Sequence, residues 1–397
     1  MGSSARFETG RNGRPGVRLQ VADGADPVAV GAAVPGALDG AAPLALGFVP
    51  GPDDEVAEGT AVVIATSGST GVPKKVVLSA AALRASAEAT ALRIGSGRWL
   101  LALSAGYVAG LQVLVRAHLA RTTPILLDGR FTPASFVAAT REFGAEPRYT
   151  SLVPAQLATL LDAADDRDVQ AALASYEAVL IGGQALPPAQ RERARDLGAR
   201  IVRTYGSSET AGGCVYDGLL LDGVRAAVVD GEVRLAGPTL ADGYLGDPEL
   251  TVRTFVTDGA GDRWYRTGDA GTVSDGAIAV TGRIDNVIVS GGVNISLDRV
   301  ERAVRAVPGL EGAIVVAIDH DRWGQASAIV AAGPDGAAGA LLSAARDRVA
   351  AEVGAPARPD RILLVADLPL LASGKPDRRA IAALAGGHAA ADTSPGG

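Results

Sequence analysis

The chain has 397 residues, of which 48% are hydrophobic, 20% charged and 4% aromatic, and its formal net charge is −7. This length exceeds what one ordinary hydrophobic core accommodates, so two or three domains are expected. The composition is that of a globular protein whose core is rich in small aliphatic residues. The negative charge, without a basic run or a stripe of basic and aromatic residues, argues against a nucleic-acid partner.

The scarcity of cysteine and histidine narrows the chemistry that is available. Cys214 is the single cysteine, which excludes an internal disulfide and a zinc cluster built from several cysteines. His118, His320 and His388 lie far apart in the sequence, which argues against a histidine-dependent triad or metal site.

Neither a signal peptide nor a membrane span is predicted. Charged residues interrupt the N-terminus before any apolar region forms. The most apolar stretch, residues 27–51, is broken by two prolines and an aspartate. The expected compartment is therefore the cytoplasm.

From residue 61 to about residue 205, apolar runs of strand length alternate with helical patterns. "AVVIAT" (61–66) and "KKVVLS" (74–79) predict strands, and Ser79 is placed to cap the helix that follows. Further strands are predicted at 98–104, 123–129, 149–154, 176–183 and 199–206, and further helices at 109–120, 133–144, 155–164 and 188–198. Such alternation indicates parallel sheet with helices on its faces.

The pattern changes after Cys214. Residues 215–281 carry short valine-rich runs separated by glycine-containing pairs, without a convincing helix, and predict a small antiparallel β region. From about residue 285, predicted helices at 297–307 and 339–352 and strands at 312–318 and 326–332 indicate a small α+β domain.

The predicted organisation is thus a large α/β N-terminal domain over residues 1–284, with parallel sheets, flanking helices and a small β region. A small, mobile α+β C-terminal domain over residues 285–384 and a disordered tail over residues 385–397 follow it.

The stretch "TSGSTGVPKK" (66–75) has the composition of a phosphate-binding turn. Glycines let backbone N–H groups converge on an anion, hydroxyls add donors, and a lysine supplies positive charge. Taken alone, the stretch is equally typical of a flexible Ser/Gly linker. It is not a Walker A loop, because Pro73 stands where that motif requires its second glycine.

Four further motifs follow in a fixed order: "TYGSSETAGG" (204–213), "YRTGDAG" (265–271), "GRIDNVIVSGGVNIS" (282–296) and "LPLLASGKPDRRAI" (368–381). Together with the phosphate-binding turn, they resemble the adenylate-forming superfamily of acyl-CoA synthetases, luciferases and peptide-synthetase adenylation domains. The resemblance extends from about residue 60 to residue 383. "YGSSETAGGCVYDG" and "GYVAGLQVLVRA" further resemble the o-succinylbenzoate–CoA ligases of menaquinone synthesis.

The resemblance implies a nucleotide site built on the first two motifs. It assigns the β- and γ-phosphates of ATP to Thr66, Ser67, Gly68, Ser69, Thr70, Gly71 and Lys74. Tyr205 would stack on adenine, and Ser208, where the family usually has threonine, would bond the α-phosphate. Glu209 would hold Mg²⁺ against the phosphates, since a hard cation takes oxygen ligands. Without this context, Glu209 reads as an ordinary surface glutamate.

The later motifs supply the remaining implied roles. Asp269 would accept hydrogen bonds from the ribose hydroxyls, although an aspartate in a β loop alone is more typical of an Asx-turn. Arg283 would reach the ribose or the phosphates. Lys375 would bridge the substrate carboxylate and the 5′ oxygen of ATP; alone, it reads as a surface lysine. Asp285 would be the hinge of a domain rotation, and Gly291 and Gly292, otherwise a tight turn, would leave room for the CoA thiol.

The acyl pocket is expected to be lined by Tyr107, Gln112, Gly182, Gly183 and Gln184. Tyr107 stands where the family commonly has histidine, so histidine chemistry is not expected there. Asn286 replaces a frequent second aspartate at the hinge, which leaves the equilibrium of the rotation open. About 65 residues precede the phosphate-binding turn, so a shortened N-terminal region is expected.

The implied reaction has two steps. A carboxylate and ATP give an acyl-adenylate and pyrophosphate, and the CoA thiol then displaces AMP. The expected ligands are a small-molecule carboxylate, ATP, Mg²⁺ and CoA, and a homo-oligomer is compatible with the resemblance. Three alternatives remain: another aryl or fatty acid as substrate, an adenylation enzyme that loads a carrier protein, and a non-catalytic nucleotide-binding protein.

Overall fold

The computed structural model describes residues 16–66, 73–371 and 375–387, which form two compact units. The first unit comprises the chain up to Gly183, Arg193–Ala226 and Arg234–Arg266. The second comprises Gln184–Glu192, Ala227–Val233 and the chain from Thr267 onward. The predicted domain boundary at residue 285 stays a prediction.

Within the described residues, the strands are β1 (Val17–Arg18), β2 (Gln20–Ala22), β3 (Leu44–Leu46), β4 (Glu55–Val56), β5 (Thr60–Thr66), β6 (Lys74–Ser79), β7 (Arg98–Leu101), β8 (Ile125–Leu126), β9 (Arg148–Leu152), β10 (Ala178–Ile181), β11 (Ile201–Ser207), β12 (Gly212–Tyr216), β13 (Leu219–Leu220), β14 (Arg225–Val229), β15 (Glu232–Ala236), β16 (Gly243–Tyr244), β17 (Phe255–Thr257), β18 (Arg263–Ser274), β19 (Ala277–Arg283), β20 (Val287–Ser290), β21 (Val293–Ser296), β22 (Ile314–His320), β23 (Gly324–Ala332) and β24 (Arg361–Val365).

The α-helices of the same residues are α1 (Pro27–Leu38), α2 (Ala80–Ile94), α3 (Val108–Leu119), α4 (Pro133–Thr140), α5 (Pro154–Asp162), α6 (Arg167–Ala174), α7 (Pro188–Asp196), α8 (Pro248–Thr254), α9 (Leu297–Arg305), α10 (Ala338–Glu352) and α11 (Arg378–Gly387). None of these helices combines the length and the apolar character that crossing a bilayer requires.

A parallel sheet lies at the centre of the first unit. Strands β8, β7, β9, β10 and β11 run in that order and parallel, and β12 then pairs antiparallel with β11. Helix α3 packs on β7 and β9, and α2 packs on α3. The predicted α/β fold class is confirmed, because helices α3 to α7 lie in the connections between the parallel strands β7 to β11.

A second sheet of the first unit has the order β16-β6-β5-β3-β2. Strands β2, β3 and β5 are parallel, but β5 and β6 form an antiparallel hairpin. The two strands at 61–66 and 74–79 were correctly predicted, and they are antiparallel because about seven residues between them are too few for the crossover connection that parallel strands need. Val62, Val63 and Ile64 of β5 are at most 1% exposed, so this hairpin is anchored in the core.

The prediction that residues 215–281 contain no helix is wrong. Helix α8 lies inside this region and begins at Pro248, while the Asp247 side chain caps it by accepting a hydrogen bond from the Leu250 N–H. Aspartate followed by proline is a helix-start signal, and the seven-residue length of α8 is too short to give a clear helical period. Helices α1, α6 and α11 were not predicted either.

The second unit contains an antiparallel sheet in the order β21-β20-β23-β22, to which β24 adds in parallel beside β23. Val300 and Val304 of α9 and Val349 of α10 are fully buried in one core cluster with Ile329 of β23. Helix α11 covers residues 385–387 of the predicted tail, and residues 388–397 lie outside the described residues. The predicted small α+β domain is confirmed as a fold class.

Candidate active site

The candidate site of the first unit lies where β10 and β11 end. These strands are parallel, so the residues that follow each of them meet at the same edge of the sheet. Gly182 follows β10, and Tyr205 lies near the end of β11, where a bulge separates it from Gly206. The carboxyl edge of a parallel sheet is the usual place for ligand binding in α/β folds.

The turn after β11 is held by side chains of its own and of α3. Ser208–Thr210 form one 3₁₀ turn, and the Thr210 hydroxyl accepts from the Ser207 N–H at 2.9 Å and donates to the Gly212 carbonyl at 2.7 Å. Ala211 has a left-handed backbone with φ of 50°, and Gln112 Nε2 donates to its carbonyl at 2.9 Å. Thr210 and Ala211, which directly follow Glu209, are thus held in place by hydrogen bonds.

Glu209 is a buried carboxylate with 9% exposure. Its Oε1 atom accepts a hydrogen bond of 2.8 Å from the Tyr244 hydroxyl, and its backbone carbonyl accepts one of 2.8 Å from the Ala241 N–H. Sequence reasoning did not identify Tyr244. The glycine–tyrosine pair at 243–244 forms the short strand β16, whose length is too small for a pattern to reveal it.

Lys74 lies beside Tyr244. Its ammonium group is 5.7 Å from the centroid of the Tyr244 ring, and Lys74 is the cross-strand partner of Thr66. The neighbouring Lys75 instead binds Asp54 at 3.1 Å, as expected for a lysine outside the site. The rest of the predicted phosphate-binding turn lies outside the described residues, namely Ser67, Gly68, Ser69, Thr70 and Gly71.

The predicted acyl-pocket residues lie on two parts of the fold, namely α3 with the residue before it and the segment that follows β10. Tyr107 is half-buried at the start of α3, whereas Gln112 is fully buried and its amide nitrogen also donates to the Leu83 carbonyl. A Cβ atom at Gly182 would lie 2.4 Å from Thr204 Oγ1, so a larger residue does not fit there. Gly183 has φ of 84°, and Gln184 belongs to the second unit. Their role in binding an acid stays a prediction.

Asp269 and Arg283 of the second unit are cross-strand partners on β18 and β19. Arg283 Nη1 lies 3.3 Å from Asp269 Oδ1 and donates to the Thr267 carbonyl at 2.8 Å. The Nε and Nη2 atoms of the same guanidinium each bind one carboxylate oxygen of Asp285 at 3.0 Å. Arg283 therefore links the predicted ribose ligand to the predicted hinge residue.

Asp298, in the first turn of α9, is a residue that sequence reasoning missed. One of its carboxylate oxygens accepts from the Arg283 N–H at 2.6 Å, and the other accepts from Asn286 Nδ2 at 2.8 Å. An acidic residue in the first turn of a helix is common, so nothing in the sequence distinguishes Asp298. Asn286, which replaces the frequent second aspartate, is suited to donate this bond.

Gly291 and Gly292 form the turn between β20 and β21, with φ of 55° and 84°. A Cβ atom at Gly291 would lie 2.9 Å from the Trp323 ring, while one at Gly292 would meet no atom of the described residues within 4 Å. Lys375 is exposed, and its carbonyl accepts from the Leu371 N–H at 2.8 Å. Residues 372–374, which precede this lysine, lie outside the described residues.

Two observations concern other chemistry. Among the described residues, no group of three or more His, Cys, Asp or Glu side chains is arranged to hold a metal ion. Cys214 is fully buried, and burial raises the pKa of its thiol to about 12, which keeps the thiol protonated near neutral pH. A buried and protonated thiol is a poor nucleophile.

Residues 20–245 match the family described as AMP-binding enzyme, and residues 299–375 match the AMP-binding enzyme C-terminal domain. The chain belongs to the AMP-binding enzyme family. Its predicted resemblance to the adenylate-forming superfamily is thereby confirmed. The first match contains the motifs at 66–75 and 204–213, and the second match extends into the motif at 368–381.

Several relatives within this family have known names. The chain is 39% identical over 335 residues to a probable 2-succinylbenzoate–CoA ligase of Mycobacterium tuberculosis strain H37Rv, covering 83% of this chain and 85% of the relative. It is 30% identical over 357 residues to a medium/long-chain-fatty-acid–CoA ligase of the same organism, covering 80% of this chain and 60% of that relative.

A similar solved structure is the o-succinylbenzoate CoA synthetase of Bacillus subtilis in complex with its acyl-adenylate intermediate. The TM-score is 0.68 at 25% identity, and the similarity covers 81% of this chain and 69% of that chain. The AMP-binding enzyme fold, with a large α/β part and a small C-terminal part, is therefore shared with this synthetase.

Proposed function

We propose that this protein is an ATP-dependent acid–thiol ligase of menaquinone biosynthesis. It activates o-succinylbenzoate as an acyl-adenylate with release of pyrophosphate, and it transfers the acyl group to CoA, giving o-succinylbenzoyl-CoA and AMP. The observation that carries the proposal is the 39% identity to the mycobacterial 2-succinylbenzoate–CoA ligase over most of both chains.

The geometry of the first unit supports a site for a nucleoside triphosphate. Lys74 supplies a cation and Ser208 a hydroxyl donor for the phosphates, and Tyr205 supplies a ring for adenine. Magnesium bound as its ATP complex needs only one or two protein carboxylates. Glu209 fits this requirement because one of its oxygens is held by Tyr244 while the carboxylate stays close to the edge of the sheet.

In the second unit, Asp269 binds the ribose hydroxyls and Arg283 orients the Asp269 carboxylate through their 3.3 Å contact. Lys375 brings positive charge to the point where the substrate carboxylate attacks the α-phosphorus, since two anions meet there. In the second step Gly291 and Gly292 give the CoA thiol access to the adenylate. A rotation about Asp285 separates the two steps in time.

A panel of acids tests the proposed substrate. We expect kcat/KM for o-succinylbenzoate to exceed that for benzoate, succinate and C6 to C16 fatty acids by more than about a hundredfold, because a site built for a polar group penalises its absence. The measurement is acid-dependent pyrophosphate release, followed by detection of the CoA thioester.

The similarity to a fatty-acid–CoA ligase makes fatty acids the second candidate substrates. A fatty acid that matched o-succinylbenzoate in kcat/KM would contradict the proposed substrate and leave the acyl-CoA synthetase activity standing. Pyrophosphate release without subsequent thioester formation would instead favour an enzyme that loads a carrier protein.

Glu209→Gln tests the metal ligand. Because the change removes one anionic oxygen while it keeps the side-chain shape, we expect the magnesium concentration at half-maximal activity to rise about tenfold, with partial recovery at high magnesium. Titration of magnesium in the pyrophosphate-release assay measures this shift.

Glu301→Gln is the matched control for Glu209→Gln. Glu301 is also a buried glutamate, at 7% exposure, but it is bound by Arg305 and Arg378 of the second unit. Its loss should lower the midpoint of thermal unfolding without a change in the magnesium requirement. An unaltered magnesium requirement in Glu209→Gln would exclude Glu209 as the metal ligand.

A further inference from the structure

Tyr244 contacts two residues of the proposed phosphate site at once. It is 6% exposed, its hydroxyl donates to Glu209 Oε1 at 2.8 Å, and its ring centroid lies 5.7 Å from the Lys74 ammonium. Strand β16 places it there, because Tyr244 pairs with Val76 of β6, two residues beyond Lys74. One side chain therefore spans the space between a carboxylate and an ammonium group of the site.

The segment that carries Tyr244 is itself fixed. The Ala241 N–H donates to the Glu209 carbonyl at 2.8 Å, so Glu209 is held by this segment through its backbone as well as through its carboxylate. The Arg263 guanidinium donates to the carbonyls of Ala241 and Asp242, each at 2.8 Å, and stacks 4.3 Å from the centroid of the Phe255 ring. Tyr244 thus extends from a rigid support.

The chemical state of Tyr244 suits this position. A phenolic hydroxyl is a hydrogen-bond donor at neutral pH, which agrees with the 2.8 Å bond from Tyr244 to Glu209 Oε1. The hydroxyl uses one acceptor position of the carboxylate and fixes its orientation, and Glu209 could hold a cation through its remaining lone pairs. The negative face of the ring attracts the Lys74 ammonium by a cation–π interaction.

We propose that Tyr244 is a positioning residue that sets Glu209 and Lys74 relative to each other for binding magnesium–ATP. The proposal rests on the proposed function, since it concerns the same nucleotide site. Its hydroxyl orients the carboxylate for the metal, and its ring orients the lysine for the phosphates. The two parts of one side chain can be removed separately, which makes the two roles testable.

The test measures ATP binding by calorimetry in the absence of any acid, with magnesium and with EDTA. Tyr244→Phe keeps the ring and removes the hydroxyl, so we expect about tenfold weaker binding of magnesium–ATP and unchanged binding of metal-free ATP. Tyr244→Leu removes the ring as well, so binding of metal-free ATP should also weaken severalfold. In pyrophosphate release, Tyr244→Phe should raise the magnesium concentration at half-maximal rate by the same factor.

Tyr176→Phe is the matched control. Tyr176 is a fully buried tyrosine whose hydroxyl also makes a short hydrogen bond, of 2.9 Å with Thr140 Oγ1, and its ring packs against Phe136 and Phe143. Removing the Tyr176 hydroxyl should lower thermal stability about as much as Tyr244→Phe does. It should leave the affinities for magnesium–ATP and for metal-free ATP unchanged. This control separates an effect of lower protein stability from the loss of the hydroxyl that orients Glu209.

The double variant Glu209→Gln/Tyr244→Phe tests whether Tyr244 acts through Glu209. We expect its magnesium requirement to equal that of Glu209→Gln alone, since the hydroxyl then has no carboxylate to orient. Losses that multiply, or a magnesium requirement in Tyr244→Phe equal to that of the unaltered protein, would overturn the proposal. If the unaltered protein binds magnesium–ATP but none of the tested acids causes pyrophosphate release, the proposed function fails. The role of Tyr244 is still decided in that case, because ATP binding is measured without acid.

Discussion

Replacing Lys375 with alanine should abolish adenylate formation while it spares thioester formation from a supplied acyl-adenylate. Attack of a carboxylate on the α-phosphorus brings two anions together, and a cation is needed only in that step. Loss of one group that stabilises a developing charge typically lowers a rate by about a hundredfold or more, which sets the expected effect. Pyrophosphate release and CoA-thioester formation, assayed separately, measure the two steps.

Arg379→Ala is the control for this prediction. Arg379 is an exposed cation four residues after Lys375, in the first turn of α11, and no role in the site is proposed for it. Its removal changes the net charge by the same amount and should leave both steps unaffected. An equal loss of both steps in Lys375→Ala would show that the lysine is not specific to adenylation.

Replacing Gly292 with tryptophan should have the opposite effect. Carboxylate-dependent exchange of pyrophosphate into ATP should stay near that of the unaltered protein, and CoA transfer should fall by about a hundredfold or more, the loss typical of misplaced reactants. A Cβ atom added at Gly292 would meet no atom of the described residues within 4 Å, so a side chain there would project into open space and obstruct what approaches this turn. The yield of thioester per adenylate formed is the decisive measurement.

Backbone strain is the competing explanation for an effect at Gly292, because its φ is 84° and a side chain there is disfavoured. Gly276→Trp controls for it. Gly276 has φ of 76° and lies in the turn between β18 and β19, and in the part of the chain that the structure describes no atom lies within 4 Å of a Cβ added to it. It should carry a similar loss of stability with both steps intact. A full thioester yield in Gly292→Trp would remove the proposed access route for the thiol.

Asp298 illustrates what long-range contacts add to a motif. The sequence motif at 282–296 contains Arg283, Asp285 and Asn286, and the resemblance assigned two of them roles. In the structure, Asp298 accepts hydrogen bonds from the backbone N–H of Arg283 and from the side-chain amide of Asn286. Asp298 lies 15 residues after Arg283 and 12 residues after Asn286 in the chain. The departure from the family at Asn286 thus has a partner that no motif contains.

The sequence by itself determined the central sheet and the location of the first half of the site. Strands β7 to β11 alternate with helices in the sequence, and this alternation could be recognised from the residue pattern. Strands connected by helices run parallel, because the helices then cover both faces of the sheet. Tyr205, Ser208 and Glu209 could be located because the motif at 204–213 resembles that of the adenylate-forming superfamily, and they lie at or just after the end of β11, at the carboxyl edge of the parallel strands.

Tertiary structure alone decided which distant residues meet at that edge. Tyr244 lies 35 residues from Glu209, on a strand of two residues, and the pairing of β16 with β6 brings it to both Glu209 and Lys74. The antiparallel direction of β6 was likewise set by connection length rather than by residue pattern, and helix α8 was too short for a helical period to reveal it. A periodic pattern reports which face of an element is buried, whereas the identity of the neighbour depends on pairing between segments far apart in the chain, and no local pattern encodes it.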